Sequence, residues 1–173
     1  MSDLDQLVSL CPPPAVVDRA GTGRGVGSAI PAGHLDLLNA YGTGCFDEFL
    51  WIYGVGVENK YLDIHSCTHE MRKILRQKTA DEIREVLRSY GVDSSELIQW
   101  GGTDNADSLM WIPVGDPAGW PTLIIESGQL DFTVSPRSST GVLLDLLTGA
   151  LRTKVFPFDF PSENPSFSTD FIP

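Results

Sequence analysis

Apolar residues recur at helical spacing in five parts of the chain. Positions three and four residues apart share one face of a helix, so this spacing predicts helices. The predicted helices are residues 2–10, 31–41, 63–77, 80–90 and 140–148. The three prolines that follow residue 11 should stop the first helix. Thr79 and Glu82 have the spacing of a capping box at the start of the fourth helix. Glycine ends three of the helices, at Gly42, Gly91 and Gly149.

Short apolar runs bounded by glycine, aspartate and proline predict strands, most of them in the second half of the chain. The runs are residues 46–53, 97–100, 108–112, 122–126 and 129–134. Ser127-Gly128 predicts a tight hairpin between the last two. Because helices cluster early and strands late, we expect a single α+β domain over residues 1–173, with helices packed against one sheet.

Two segments lie outside this pattern. Residues 18–29 are glycine-rich and predict a flexible loop, because their glycines lack the first, third and sixth spacing of a dinucleotide-binding fingerprint. The tail, residues 151–173, is rich in phenylalanine and proline. Its five phenylalanines argue against a free, disordered tail and predict one that docks on the body of the protein or on a partner: Phe156, Phe158, Phe160, Phe167 and Phe171.

The charge is strongly negative and unevenly distributed. The chain has 23 acidic and 12 basic residues, for a net charge of −11, but residues 59–90 carry seven bases and five acids. Free nucleic acid is a poor partner for such a chain, because binding requires a basic footprint that displaces counterions. A basic protein partner suits it better, although acidity also simply maintains solubility.

The composition favours a cytoplasmic protein. The acidic N-terminus lacks the positive start of a secretory signal, and no apolar run approaches the ~20 residues that span a bilayer. Three cysteines form an odd, sparse set that is typical of reduced thiols.

The sequence offers little catalytic or metal-binding chemistry. His65, Cys67 and His69 resemble a metal cluster, but on a helix Cys67 points away from the two histidines, which predicts a core cysteine and no metal site. A metal-dependent enzyme using His65 and His69 is the third of the functional hypotheses that we consider. The run 101–107 is a turn between strands rather than a calcium loop, because the ligand spacing is absent. We expect no cofactor.

The order of turns and aromatic residues resembles the SUKH superfamily of the Smi–Knr type. A proline-initiated helix leads into Tyr41-Gly42-Thr43-Gly44-Cys45-Phe46 and then Phe49-Leu50-Trp51-Ile52. Two later segments resemble the second half of the family: residues 100–111 and Asp116-Pro117-Ala118-Gly119-Trp120-Pro121. The resemblance covers about residues 28–150. Ala106 departs from it, since a glycine is expected between Asn105 and Asp107.

The resemblance implies a twisted, mostly antiparallel sheet and a role without catalysis. Bacterial members resemble immunity proteins that bind and neutralise a cognate toxin, often a nuclease, whereas fungal members resemble regulatory interaction proteins. Our first hypothesis is therefore an immunity protein with an acidic surface for a basic toxin domain. The second hypothesis is a regulatory or adaptor domain with no toxin partner.

Polar and aromatic groups in predicted turns are the candidate binding residues. They are Asp104, Asp107, Asp116 and Trp120, with Asp47 and Glu48 as further candidates. Trp120, between a glycine and a proline, is either an exposed anchor of the kind that dominates binding energy or a tryptophan that closes the edge of the core.

Overall fold

The computed structural model describes residues 1–17 and 29–170 and contains five α-helices and seven strands in that part of the chain. The helices are α1 (Asp3–Leu10), α2 (Ala32–Tyr41), α3 (Ile64–Gln77), α4 (Asp81–Tyr90) and α5 (Ser139–Thr148). The strands are β1 (Gly44–Phe46), β2 (Leu50–Ile52), β3 (Ile98–Thr103), β4 (Ser108–Trp111), β5 (Thr122–Ile125), β6 (Phe132–Ser135) and β7 (Phe167–Ser168). The predicted glycine-rich loop, apart from residue 29, and Phe171 lie outside the described residues.

The strands form one antiparallel sheet in the order β6-β5-β4-β3-β2-β1-β7. Strands β1 to β6 have the same order in the sheet as in the sequence. The tail then returns to place β7 beside β1. The α+β prediction of one mostly antiparallel sheet with helices packed against it is confirmed.

Helices cover both faces of the sheet. Because successive strand residues point to opposite faces, Leu109 and Trp111 lie in one buried cluster and Met110 and Ile112 in another. The first cluster, on what we call the first face, includes buried residues of α1, α2 and α5. The second cluster, on the second face, includes buried residues of α3 and α4.

Helix boundaries agree with the sequence to within one or two residues, but one predicted cap is wrong. The N-cap of α4 is Ala80, which has no side-chain capping bond. Thr79 instead donates its hydroxyl to the Leu75 carbonyl at 2.6 Å, so it closes the end of α3 and does not start α4. The predicted capping box of Thr79 and Glu82 is therefore absent.

Three strand and turn predictions need correction. Residues 101–103 belong to β3, so the predicted turn 101–107 is reduced to residues 104–107. The run 46–53 is not one strand: Asp47 and Glu48 have φ angles of 52° and 53°, and they turn the chain between β1 and β2. Paired left-handed residues fit the right-handed twist of a hairpin. The run 129–134 begins its strand only at Phe132, so residues 126–131 form a longer connection than the predicted tight hairpin at Ser127-Gly128.

The tail packs on the body of the protein. Phe156 and Phe160 are buried and lie against Phe49, with ring centroids 5.4 and 5.1 Å from it. Phe167 inserts its ring beside Phe46 at 4.8 Å. Gly44 allows this close approach, since a Cβ there would lie 2.5 Å from both the Phe167 ring and the Ser168 carbonyl. Gly44 thus allows β7 to pack closely against β1.

His34 lies at the centre of the first-face core and is fully buried. Its Nε2 lies 3.0 Å from the Tyr53 carbonyl and its Nδ1 lies 3.0 Å from the Ser139 hydroxyl. Because a carbonyl only accepts, Nε2 carries the proton and donates it, while Nδ1 accepts from Ser139. The ring thereby joins α2, β2 and α5. Burial lowers the pKa of His34 to about 4, so the imidazole is neutral at pH 7.

Acidification is expected to destabilise the protein through His34. Its pKa is about 4 in the folded protein and near 6.5 in the unfolded chain, so the unfolded state takes up the proton first. The stability due to neutral His34 is complete above about pH 6.5 and falls as pH drops toward 4, by about 3 kcal/mol. Urea unfolding of the wild type and of His34→Gln at pH 7, 5.5 and 4 measures this loss. The carboxylates titrate alike in both proteins, so parallel pH curves would contradict this assignment.

Candidate protein-binding site

Three hairpin turns project from the same end of the sheet and carry acidic side chains. They join β1 to β2, β3 to β4, and β5 to β6, at residues 47–49, 104–107 and 126–131. Neighbouring turns are two strands apart, or about 10 Å. We call this surface the acidic end, and its carboxylates are Asp47, Glu48, Asp104, Asp107, Glu126 and Asp131.

The first two turns are in direct contact. The Asp104 backbone N–H donates to the Phe49 carbonyl at 3.2 Å, which joins the β3–β4 turn to the β1–β2 turn. The charges also converge. Burial raises the pKa of the Cys45 thiol to about 12, and the negative charges of Asp104, Glu48 and Asp47 add to this shift. Four of the six sequence-predicted residues, Asp47, Glu48, Asp104 and Asp107, therefore lie at this end.

Several of these carboxylates hold the turns in shape. Asp47 accepts hydrogen bonds from the Ser162 and Ser166 backbone N–H groups, each at 2.9 Å, and so fixes the tail against the β1–β2 turn. Asp104 accepts from the Trp51 indole N–H at 2.7 Å. Glu126 accepts from the Leu130 backbone N–H at 2.9 Å inside the third turn. The backbone at the acidic end is thus braced by its own acidic side chains.

Asp107 belongs to the acidic end but is buried. One of its carboxylate oxygens accepts from the Thr103 hydroxyl at 2.7 Å, and the other accepts from the Ser127 backbone N–H at 3.1 Å. It links the second turn to the third. The expectation that Asp107 contacts a partner is therefore corrected to a structural role.

Ala106 occupies a backbone conformation that favours glycine. Its φ angle is 65°, in the left-handed region, where a Cβ is strained. This is the position at which the family resemblance leads us to expect glycine. The turn therefore keeps the conformation that a glycine would favour, with alanine in its place.

Glu48 and Asp131 are the two carboxylates of the acidic end that face solvent and do not hold a turn in shape. Both are exposed. In the part of the chain that the structure describes, neither carboxylate forms an ion pair or a side-chain hydrogen bond. Their charges remain available to a partner.

Asp116 and Trp120 lie at the opposite end of the sheet, between β4 and β5. Asp116 caps a short 3₁₀ turn by accepting from the Ala118 backbone N–H at 2.8 Å. Trp120 is 6 % exposed, packs against Trp111, and donates its indole N–H to the Gly115 carbonyl at 3.2 Å. It closes the edge of the core, and the exposed-anchor interpretation is wrong.

A groove between α3 and the second face opens beside the β3–β4 turn. Its volume is about 740 Å³. We call it the α3 groove. Its exposed rim is mixed in character and includes Lys60, Tyr61, His69, Glu70 and Ile74. Its floor is polar and includes Gln99, Thr103 and Ser108. On the rim, Tyr61 is 72 % exposed and Ile74 is 53 % exposed. Neither Tyr61 nor Ile74 is among the candidate binding residues that the sequence predicts.

The floor of the groove is a packed polar network. Gln99 donates to the Gly101 carbonyl and the Ser108 hydroxyl, both at 3.2 Å. Gly102 gives room to the Tyr53 hydroxyl, which a Cβ at that position would strike. The floor is thus satisfied internally, and the exposed contact surface of the groove is its rim.

The cysteines are not activated. Burial raises the pKa of the Cys67 thiol to about 11, and its Sγ–H donates to the Tyr61 carbonyl at 3.2 Å. Burial likewise raises the pKa of Cys11 to about 11. With Cys45 also raised, all three thiols are protonated at neutral pH, and a thiol is a weak nucleophile compared with a thiolate.

Two histidines of α3 and Cys67 were considered above as metal ligands. Cys67 and His69 both border the α3 groove, although two-residue spacing on a helix predicts opposite directions. Within residues 1–17 and 29–170, no three histidine, cysteine, aspartate or glutamate side chains are grouped so that they could hold a metal ion.

Searches of family models, curated proteins and solved structures give no match to this chain. None of the described helices has the length and apolar character that crossing a membrane requires.

Proposed function

We propose that this protein is a non-catalytic, SUKH-type immunity protein that binds and neutralises a basic toxin domain in the cytoplasm. The proposal rests on the sequence resemblance and on one structural observation. That observation is the convergence of three acidic turns at one end of the sheet.

Charge is the first support for the proposal. The acidic end presents Glu48, Asp104 and Asp131 across about 20 Å of surface, a width comparable to that of a protein interface. Opposite fields accelerate encounter with a basic partner and orient it. A nuclease, whose substrate is polyanionic, has a basic active site that such a surface complements.

The rim of the α3 groove supplies apolar contact area beside these charges. Interfaces draw most of their energy from a few aromatic or large apolar anchors near their centre. Tyr61 and Ile74 are large, exposed and adjacent to the β3–β4 turn through the groove. We therefore include the rim in the proposed interface.

Preorganisation is the third support. Asp47, Asp104 and Glu126 accept hydrogen bonds that fix the three turns before a partner arrives. A site that is already ordered loses little conformational entropy when it binds, so more of the contact energy contributes to affinity.

Co-expression with the product of the neighbouring gene tests the proposal. We expect the tagged protein to purify with that product as a stoichiometric complex and to suppress its toxic activity. Because the proposed contact is electrostatic, affinity should fall as salt rises from about 0.05 to 0.5 M.

The result also separates the alternatives. A neighbour that binds but is harmless to cells would replace the immunity role with an adaptor role. Failure to form any complex with the neighbouring product would contradict the immunity proposal. A complex that is insensitive to salt would remove the acidic end from the interface.

A further inference from the structure

A second concave site is formed by the C-terminal end of α3, by α4 and by the segment that follows α4. Its volume is about 510 Å³, and three arginines line it: Arg76 from α3, and Arg84 and Arg88 from α4. Leu75 and Leu87 also border the cleft, but each is only 2 % exposed. We call this site the arginine cleft.

The arginines of the cleft are poorly neutralised by the protein itself. Acids outnumber bases almost two to one in this chain, so paired arginines would be the ordinary outcome. Yet, over the described residues, neither Arg76 nor Arg88 forms an ion pair. Arg84 has only Asp81, at 3.3 Å, whose side chain is 93 % exposed.

The two arginines on α4 are close enough to repel each other, and a bound anion would remove this repulsion. Arg84 and Arg88 are four residues apart and share one face of the helix, where like charges destabilise the helix. Asp93 also borders the cleft, but one of its carboxylate oxygens accepts from the Ser95 backbone N–H at 2.9 Å. The lining keeps a net positive charge in a strongly acidic protein.

We propose that the arginine cleft binds a small phosphate-bearing ligand, of the phosphomonoester or diphosphate class. Guanidinium groups bind phosphate through paired, charge-assisted hydrogen bonds, and three of them suit a ligand with more than one negative charge. The volume falls in the range of small-molecule sites. This proposal is independent of toxin binding.

Calorimetric titration with inorganic pyrophosphate tests the cleft. We expect one pyrophosphate per chain and a rise in melting temperature on binding. Arg88→Gln should weaken binding about tenfold, the effect of losing one charge-assisted contact. Lys154→Gln, an exposed base in the tail, is the matched control and should change affinity less than about twofold.

Because Arg88 is exposed and forms no internal ion pair, its replacement should leave the circular dichroism spectrum unchanged. The absence of binding at millimolar pyrophosphate would overturn the proposal, as would equal losses in Arg88→Gln and Lys154→Gln. Binding of a hexaglutamate peptide with no binding of pyrophosphate would also overturn it, in favour of an acidic protein segment.

Discussion

Replacing Trp111 with alanine is expected to lower the free energy of unfolding by about 3–5 kcal/mol. Trp111 is fully buried in β4, at the centre of the first-face core. It stacks with Trp100 at 6.2 Å and meets the His34 ring edge-on at 4.9 Å. Removing the indole leaves a large cavity between the sheet and its helices, which a packed interior cannot refill. Urea unfolding followed by circular dichroism measures the loss.

Phe158→Ala is the matched control for this substitution. Phe158 is an aromatic residue that is 97 % exposed, so its removal should change the free energy of unfolding by less than about 0.5 kcal/mol. A loss below about 1 kcal/mol for Trp111→Ala would contradict the packing described for the first face.

Local signals were sufficient to predict the helices. The apolar spacing of each helix lies within its own segment, and the glycines that end α4 and α5 follow directly. Gly91 and Gly149 have φ angles of 70° and 76°, in the left-handed region expected after a helix. The order of helices and strands was also sufficient for the α+β class. These features depend on residues close together in sequence.

The β1–β2 turn could not be predicted in this way. Phe46, Phe49 and Leu50 are apolar because they pack on the core or the tail, so the run looks like one strand. The turn contains no glycine, and the Asp47 carboxylate is bound by Ser162 and Ser166, more than 100 residues away. A contact this distant leaves no local pattern.

The candidate site was predicted in part. Asp104 could be chosen as a turn acid, and Asp47 and Glu48 only as acids of a predicted strand; their convergence depends on strand order. Asp107 and Trp120 have structural roles because they are buried. The turn-forming residues around them gave no sign of this burial. Ile74 was missed because spacing alone cannot distinguish an exposed apolar residue on a helix from a buried one. Tyr61 was missed because it lies in the short 3₁₀ turn Lys60–Leu62, before the predicted helix, where no local pattern marks its exposure.

Charge reversal at the acidic end is expected to weaken binding of the proposed toxin partner about 100-fold. The double variant Glu48→Lys with Asp131→Lys replaces two exposed carboxylates that have no ion pair or side-chain hydrogen bond among the described residues. Each lysine would face a basic partner, and like charges across an interface are costly, so we assign about tenfold to each position. The association rate should fall as well, because steering is lost. Surface plasmon resonance with the neighbouring-gene product measures both.

A matched control separates the position of the charges from their number. Asp36→Lys with Glu85→Lys makes the same change in net charge at exposed positions on α2 and α4, away from the acidic end. Neither pair removes a core contact, so both variants should melt within a few degrees of the wild type.

The most direct test of the account is the ratio of dissociation constants of these two double variants for the purified toxin domain at about 0.1 M salt. Binding of a basic partner at the acidic end predicts that Glu48→Lys/Asp131→Lys binds at least about 30-fold more weakly than Asp36→Lys/Glu85→Lys. Equal dissociation constants would contradict it, since they would show that overall charge, and not this surface, determines binding.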